Sequence, residues 1–298
     1  MGLLALSGCI LLFAQPPPRV ERELHPGNVV SVAAGDGSAC AVYASGWIAC
    51  SGNATDHPSL DRGYKSVAGD DDGWCAVGDD GGVYCWGGIP DPAVPDTGAD
   101  PVGVDAIAVA HGTGCMLRGT AITCWGADDS NGDPIPVGPY FSGIALGPTE
   151  GCAMETDRGP GDLGQVFCFG SGLDARSGTR VDHASALAVS LGEGCVILDD
   201  LAANDGREPG GVDCWTSGSA SFAGPAGTFD AITAGDWTFC ALSGGGATCW
   251  PSDHLPEDTV NTPPDEAFAQ LDPGGTTSCG ITTAGDGVCW GDTTGIGL

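Results

Sequence analysis

Short apolar runs recur along the chain, each broken by a Gly- and Asp-rich stretch, and residues 68–87 show the unit most cleanly. An apolar arm enters through Trp74-Cys75-Ala76-Val77, a polar tip turns the chain at Gly78 to Gly82, and a second arm returns through Val83-Tyr84-Cys85. A Gly/Asp tip flanked by alternating apolar residues predicts a β-hairpin. Cys75 and Cys85 stand at mirror positions about the tip and are expected to face each other across it.

The unit repeats seven times. Setting Cys9 aside, the cysteines fall into the pairs Cys40/Cys50, Cys75/Cys85, Cys115/Cys124, Cys152/Cys168, Cys195/Cys214, Cys240/Cys249 and Cys279/Cys289. Their first members are separated by 35, 40, 37, 43, 45 and 39 residues, a period that suits one four-stranded propeller blade. Eight positions before each first cysteine stand Val32, Val67, Ile107, Ile144, Leu187, Ile232 and Leu271. Two positions after it stand Val42, Val77, Leu117, Met154, Ile197, Leu242 and Ile281. Both columns are expected on the cysteine face of the strands, because side chains two apart share a face. Six of the seven second cysteines are followed by an aromatic (Trp86, Trp125, Phe169, Trp215, Trp250, Trp290), with Ser51 the exception. That position points to the opposite face, toward a neighbouring sheet.

Facing cysteines of a hairpin can be bridged when their Cβ atoms lie within about 4 Å. One disulfide is therefore expected inside each hairpin. Closing a ten-residue loop contributes about 3 kcal/mol in the chain-entropy model. The bridges would also pin register, which Gly-rich hairpins specify weakly.

Composition agrees. Fifteen cysteines without any C-x-x-C, and five histidines without an H-x₃₋₅-H pair, argue against zinc and for disulfides in an oxidising compartment. Thirty-nine acidic against nine basic residues give a net charge of −30, which repels nucleic acid and anionic membrane surfaces. Gly (52) and Pro (21) are abundant, and with aliphatic positions recurring in register they signify many turns between short strands.

Residues 1–18 read apart from the rest. Gly2 to Ala14 is an apolar run of signal-peptide length, and Leu6-Ser7-Gly8-Cys9 resembles a bacterial lipobox, which would make Cys9 a lipid-attachment site and the N-terminus a membrane anchor. Gln15-Pro16-Pro17-Pro18 reads as an extended linker, and residues 19–298 as the propeller. The expected location is extracytoplasmic, either secreted or as a cell-surface lipoprotein.

The segments Val67-Ala68-Gly69…Cys75-Ala76-Val77…Gly82-Val83-Tyr84-Cys85-Trp86-Gly87 and Ile232-Thr233-Ala234-Gly235…Cys240-Ala241-Leu242…Cys249-Trp250 resemble regulator-of-chromosome-condensation repeats, in particular the cysteine-rich bacterial form. The resemblance covers roughly residues 29 to 298 and implies an all-β, seven-bladed β-propeller. The ring would be closed by an N-terminal segment, near Val20 to Val32, joining the last blade. The family's His two residues before the first cysteine is replaced by Ser38, Gly73, Thr113, Glu150, Glu193, Thr238 and Thr277. Nucleotide exchange on a chromatin-bound GTPase, the family's founding role, fits neither an exported chain nor this charge.

No G-x-S-x-G elbow, H-E-x-x-H or P-loop is present, so no catalytic residue and no cofactor is assigned. Asp128-Asp129-Ser130-Asn131-Gly132-Asp133 suggests a cation loop, but with Gly132 at position six Ala127 falls where a carboxylate is needed; at most it would hold Ca²⁺ weakly. Five hairpin tips are short, whereas the fourth and fifth are enlarged and bring Glu155, Asp157, Arg158 and Asp162, and Asp199, Asp200, Asp205, Arg207 and Glu208, as candidate binding loops on one face. The expectation is a monomeric, non-enzymatic scaffold binding a cell-surface protein or glycan. A hydrolase or lyase using acidic residues at the channel, and a passive envelope component, are the alternatives.

Overall fold

The computed structural model describes residues 28–54, 62–90, 92, 103–126, 140–155, 164–170, 183–216, 222–252, 260–294 and 296. Among these, strands come in seven consecutive antiparallel sets, each built from one stretch of chain. The first blade is β1 (Val29–Ala34), β2 (Ala39–Tyr43) and β3 (Ile48–Ser51); the second is β4 (Tyr64–Gly69), β5 (Gly73–Gly78) and β6 (Val83–Gly87). The third is β7 (Ala106–Ala110), β8 (Thr113–Arg118) and β9 (Ala121–Gly126), and the fourth β10 (Phe141–Leu146), β11 (Glu150–Glu155) and β12 (Val166–Gly170). The fifth adds a fourth strand: β13 (Ala184–Ser190), β14 (Glu193–Leu198), β15 (Val212–Thr216) and β16 (Phe222–Ala223). The sixth is β17 (Ala231–Ala234), β18 (Thr238–Ser243) and β19 (Gly246–Pro251), and the seventh β20 (Phe268–Pro273), β21 (Thr277–Thr282) and β22 (Gly287–Gly291). The outermost strand expected of every blade is thus seen in the fifth alone. In the other blades much of the chain after the third strand lies outside the described residues.

Every cysteine pair sits directly cross-strand between the second and third strands of its blade. All seven are bridged: Cys40–Cys50, Cys75–Cys85, Cys115–Cys124, Cys152–Cys168, Cys195–Cys214, Cys240–Cys249 and Cys279–Cys289, with Cα atoms 4.0–4.1 Å apart. The two ends of each bridge differ in burial, which their mirror positions about the tip do not foretell. The first cysteine of each pair is 0–1% exposed. Cys50, Cys85, Cys124, Cys168, Cys249 and Cys289 are only half-buried, and Cys214 alone among the second cysteines is fully buried. The cause is position in the sheet. First cysteines lie on the central strand of the blade, with a strand on either side, whereas second cysteines lie on the third strand. Only in the fifth blade does a described fourth strand flank that third strand, Phe222 pairing with Cys214.

The cores lie between blades rather than within them. Seven buried clusters each join two neighbours around the ring. The alternation of strand faces fixes which way each side chain looks. The disulfide of one blade packs toward the next blade, and the aromatic after the second cysteine packs back toward the preceding one. Trp86 joins Cys40, Cys50 and Val42 of the first blade, and Trp290 joins Cys240 and Leu242 of the sixth. Within a blade the aromatics on this face stack across the hairpin, Trp74 against Trp86 at 6.5 Å and Phe239 against Trp250 at 5.7 Å.

One column lies on the other face from that expected. Val32, Val67 and Leu271 pair with the residue after the first cysteine (Ala41, Ala76, Gly280), so they share the aromatic's face. The reason is register: the first strand is a separate strand, and a position pairs with its partner's face rather than with a face counted through the turn. The column two residues after the cysteine does lie on the cysteine face, as Val42 beside Cys40 illustrates.

Most of the segment expected to close the ring lies outside the described residues. Of the segment from Val20 to Val32, Val29 to Val32 belongs to the innermost strand of the first blade, while Val20 to Pro26 lie outside the described residues. The first and last blades meet by packing: Val29, Val32 and Tyr43 cluster with Cys279, Cys289 and Ile281, and the Val29 N–H donates to the Gly285 carbonyl at 2.9 Å. Ser51 leaves this seam without the usual aromatic. Trp47, from the first hairpin tip, and Ile296 pack there instead.

Candidate functional site

In each blade the first strand lines the axis. Residues from β1, β4, β7, β10, β13, β17 and β20 together enclose a central channel with a cavity of 210 Å³. Antiparallel strands put the two kinds of turn on opposite faces of the ring. Turns between first and second strands (residues 35–38, 70–72, 111–112, 147–149, 191–192, 235–237 and 274–276) surround one mouth of the channel, and the hairpin tips lie on the other face.

The enlarged tips came from length alone, and the structure describes them unevenly. Glu155 closes the base of the fourth, its N–H donating to the Gln165 carbonyl at 2.8 Å; Asp157, Arg158 and Asp162 lie outside the described residues. The fifth tip is folded onto its own blade. Asp200–Asp205 form a 3₁₀ helix, Ala202 is fully buried, and Leu198 exchanges hydrogen bonds with Gly210 and Gly211. Arg207 pairs with Asp213 at 3.4 Å, Asp199 contacts His183 at 3.6 Å, and the Gly210 carbonyl accepts from the Phe229 N–H of the sixth blade. Asp199 and Arg207 are therefore engaged in holding the loop, whereas Glu208 beside them is exposed. The Asp128 to Asp133 segment and Cys9 lie outside the described residues.

The richer chemistry is at the other mouth, which the sequence reading passed over. Turn carboxylates there tie blade to blade by accepting backbone N–H groups, a charge-assisted bond roughly twice as strong as a neutral one. Asp70 Oδ1 accepts from Asp72 and Gly73 of its own turn (2.9 and 3.0 Å), and its Oδ2 accepts from His111 of the third blade. Asp71 accepts from the Asp36 N–H, and Asp36 accepts from the Thr276 hydroxyl. Glu150 accepts from Gly192 at 2.5 Å, and Asp272 from Ala34 at 3.1 Å. These ties span seams between blades 1 and 2, 2 and 3, 4 and 5, and 7 and 1. At the seam of blades 6 and 7 the backbones themselves touch: a Cβ built on Gly235 would overlap the Pro273 carbonyl oxygen.

Electrostatics mark the same mouth. Burial pushes the Asp236 carboxyl up to about 6, with Asp71, Asp70 and Asp36 adding repulsion against the opposing influence of His111. Burial likewise pushes Asp272 up to about 7, and raises Glu150 and Asp71 above the usual carboxylate range. Beside the mouth opens a recess of 460 Å³ lined by Asp36, Asp71, Asp236, Trp237, Asn261, Gly275, Thr276 and Asp292. Trp237 is 41% exposed there.

Two groups among the described residues have metal-ligand proximity, and both are otherwise engaged. Cys195 and Cys214 beside Glu193 are joined in a disulfide and offer no thiolate. Asp70, beside Asp72 and His111, already accepts three backbone N–H groups.

The chain is similar to the CRINKLY WD40 ectodomain of the Arabidopsis thaliana receptor kinase ACR4 (20% identity, 90% of this chain and 96% of that one, TM-score 0.66). It is similar to the entire ectodomain of the Physcomitrella patens receptor kinase CR4 (21% identity, 89% and 74%, TM-score 0.67). Yeast RCC1 (Prp20), solved bound by Kap60, is also matched (15% identity, 88% and 70%, TM-score 0.47). The chain is a seven-bladed β-propeller. No protein-family model and no curated protein matches the sequence. At these identities the likeness shows the propeller fold and nothing of what this propeller binds. Seven disulfides suit an oxidising environment, and among the described residues no helix is long and apolar enough to cross a membrane.

Proposed function

We propose that this propeller is a non-enzymatic, extracytoplasmic scaffold that binds a protein partner through the face carrying the acidic channel mouth. The observation that carries the reading is the recess beside that mouth, where an exposed indole and four carboxylates converge on one cavity. Concave sites with a few convergent polar groups and perturbed carboxyls are where ligands bind. A hydrolase at the channel is less well supported. The carboxylates nearest the axis are turned to backbone N–H groups of neighbouring blades, which positions blades rather than a substrate. The fifth hairpin tip, folded against its own blade, offers less free surface than its length suggested. Attachment through Cys9 and secretion as a free monomer are both compatible with a scaffold whose working face is the ring.

The test is capture. Immobilised protein is exposed to the extracytoplasmic fraction of its source, beside a variant with Asp36, Asp71 and Asp292 all replaced by Asn and a variant with Glu155 and Glu208 replaced by Gln. The reading expects a defined partner lost in the first variant and kept in the second. The reverse pattern would move the binding face to the hairpin tips, and turnover of ester or glycan substrates by the unmodified protein would overturn the non-enzymatic reading.

A further inference from the structure

We infer that the recess beside the channel mouth is a receptor for a cationic side chain, arginine or lysine, carried on a basic segment of the partner protein. The inference rests on the reading that this face engages a protein, and it adds the chemistry of what enters.

Three features point to a cation. The first is the indole. Trp237 is one of four large hydrophobic side chains left exposed among the described residues, and the other three are not part of this recess. Its turn is anchored at both ends: Gly235 donates to the Thr238 carbonyl at 2.9 Å, and the Trp237 carbonyl accepts from Ser252 at 2.9 Å. An indole face attracts a guanidinium or ammonium through its quadrupole.

The second is the rim. Asp36, Asp71, Asp236 and Asp292 come from four different blades, yet they open onto one cavity. Three of them have local bonds: Asp36 to Thr276, Asp71 to Asp36, and Asp292 to the Thr294 N–H at 3.0 Å. A carboxylate offers about four lone-pair sites on its two oxygens, so these bonds, including the second that Asp292 accepts from the Thr294 side chain, leave capacity for an incoming donor. Burial and mutual repulsion hold Asp71 and Asp236 above their ordinary range, and a bound cation would relieve both.

The third is complementarity. Among the described residues, no Lys or Arg lines the recess. Of the described basic residues, Arg62 pairs with Asp80, Lys65 donates to the Asp79 carbonyl, and Arg207 pairs with Asp213, all toward the hairpin-tip side. The described chain supplies no Lys or Arg of its own to this cavity, while the net charge of −30 draws basic partners toward it. An apolar wall with a carboxylate rim suits the amphipathic stem and charged head of Arg or Lys better than it suits a small hydrated ion.

The experiment titrates the whole protein with tetra-arginine amide by calorimetry at low and moderate salt. Binding is expected, weakening with salt. Trp237→Ala should lower affinity about tenfold, with Trp237→Phe intermediate. Asp292→Asn should weaken binding several-fold, whereas Glu155→Gln, which removes the same charge on the opposite face, should leave it unchanged. Unaltered circular dichroism and the absence of free thiols certify the fold of each variant. Equal losses for Asp292→Asn and Glu155→Gln, with Trp237→Ala like the unmodified protein, would mean attraction by the diffuse charge alone and would overturn the proposal. So would binding of a neutral cello-oligosaccharide that depends on Trp237 where tetra-arginine does not bind, or Ca²⁺ binding that depends on the carboxylates and ignores Trp237. Because the probe is a synthetic peptide, its result stands apart from the capture test: a receptor pocket can exist on a face that captures no partner, and a partner can bind that face without using the pocket.

Discussion

Asp272 is the group whose replacement should speak most clearly. It lies on the innermost strand of the last blade, lines the channel, and accepts the Ala34 N–H at 3.1 Å across the closing seam. Burial raises its carboxyl from 3.8 to about 7. A raised carboxyl means that between those two values the folded chain holds a proton that the unfolded chain has released. Stability from this group is therefore fully present below pH 3.8, falls as pH rises, and is lost above about pH 7. Three pKa units correspond to about 4 kcal/mol, and the solvent that reaches the carboxyl through the channel reduces this to about 2–4 kcal/mol. Asp272→Asn keeps an oxygen to accept from Ala34 and removes the charge. Urea denaturation of both proteins, with disulfides intact, should give equal stabilities at pH 3.5 and a variant more stable by that margin at pH 8. Comparing the two proteins at each pH cancels the general self-repulsion of a highly acidic chain. A difference that does not change with pH, or a variant that is weaker at pH 8, would refute the reasoning.

Other outcomes follow from the same geometry. Replacing Cys195 and Cys214 together by Ala should lower stability more than replacing Cys115 and Cys124, because the closed loops differ in length (separations 19 and 9); the entropy model gives a gap of about 0.7 kcal/mol on losses of about 2–4, readable by urea denaturation, and the reverse order would sink it. Trp86→Ala should cost about 3–5 kcal/mol by opening the seam between the first two blades, measured as a fall in denaturation midpoint; a loss under about 1 kcal/mol would show that the seam does not depend on the indole. Gly235→Ala should cost about 1–3 kcal/mol or more by forcing the sixth and seventh blades apart, checked by thermal unfolding, and a neutral effect would contradict the close approach to Pro273. Thiol titration of the denatured protein should find none of the fourteen paired cysteines reactive, and a substantial free-thiol count would remove the bridges.

The sequence by itself determined the repeat number, the hairpin of each blade, the seven cysteine pairs and the outward turn of the aromatic column. These are set by chain-local relations: a side chain's face follows from its parity along a strand, and a hairpin's pairing follows from its turn. Cys75 and Cys85 can be paired by counting from the tip at Gly78 to Gly82. Counting cannot tell that Cys50, Cys168 and Cys289 sit less deeply than Cys40, Cys152 and Cys279, because depth depends on which strands flank each one in the sheet. The same counting misplaced Val32, because the first strand's face depends on how it pairs through another turn. It also could not tell that Val29 packs against Ile281 across the closing seam, with Trp47 and Ile296 beside them. Nor could it find the acidic mouth. Asp36, Asp71, Asp236 and Asp292 lie in separate repeats and each reads as an ordinary turn residue. The one available signal was that carboxylates recur in the turn before the first cysteine, as Asp36, Asp70 and Asp236 do. Only the curvature of the ring brings those turns around one axis, close enough to share a cavity, raise one another's pKa and leave Trp237 beside them in water.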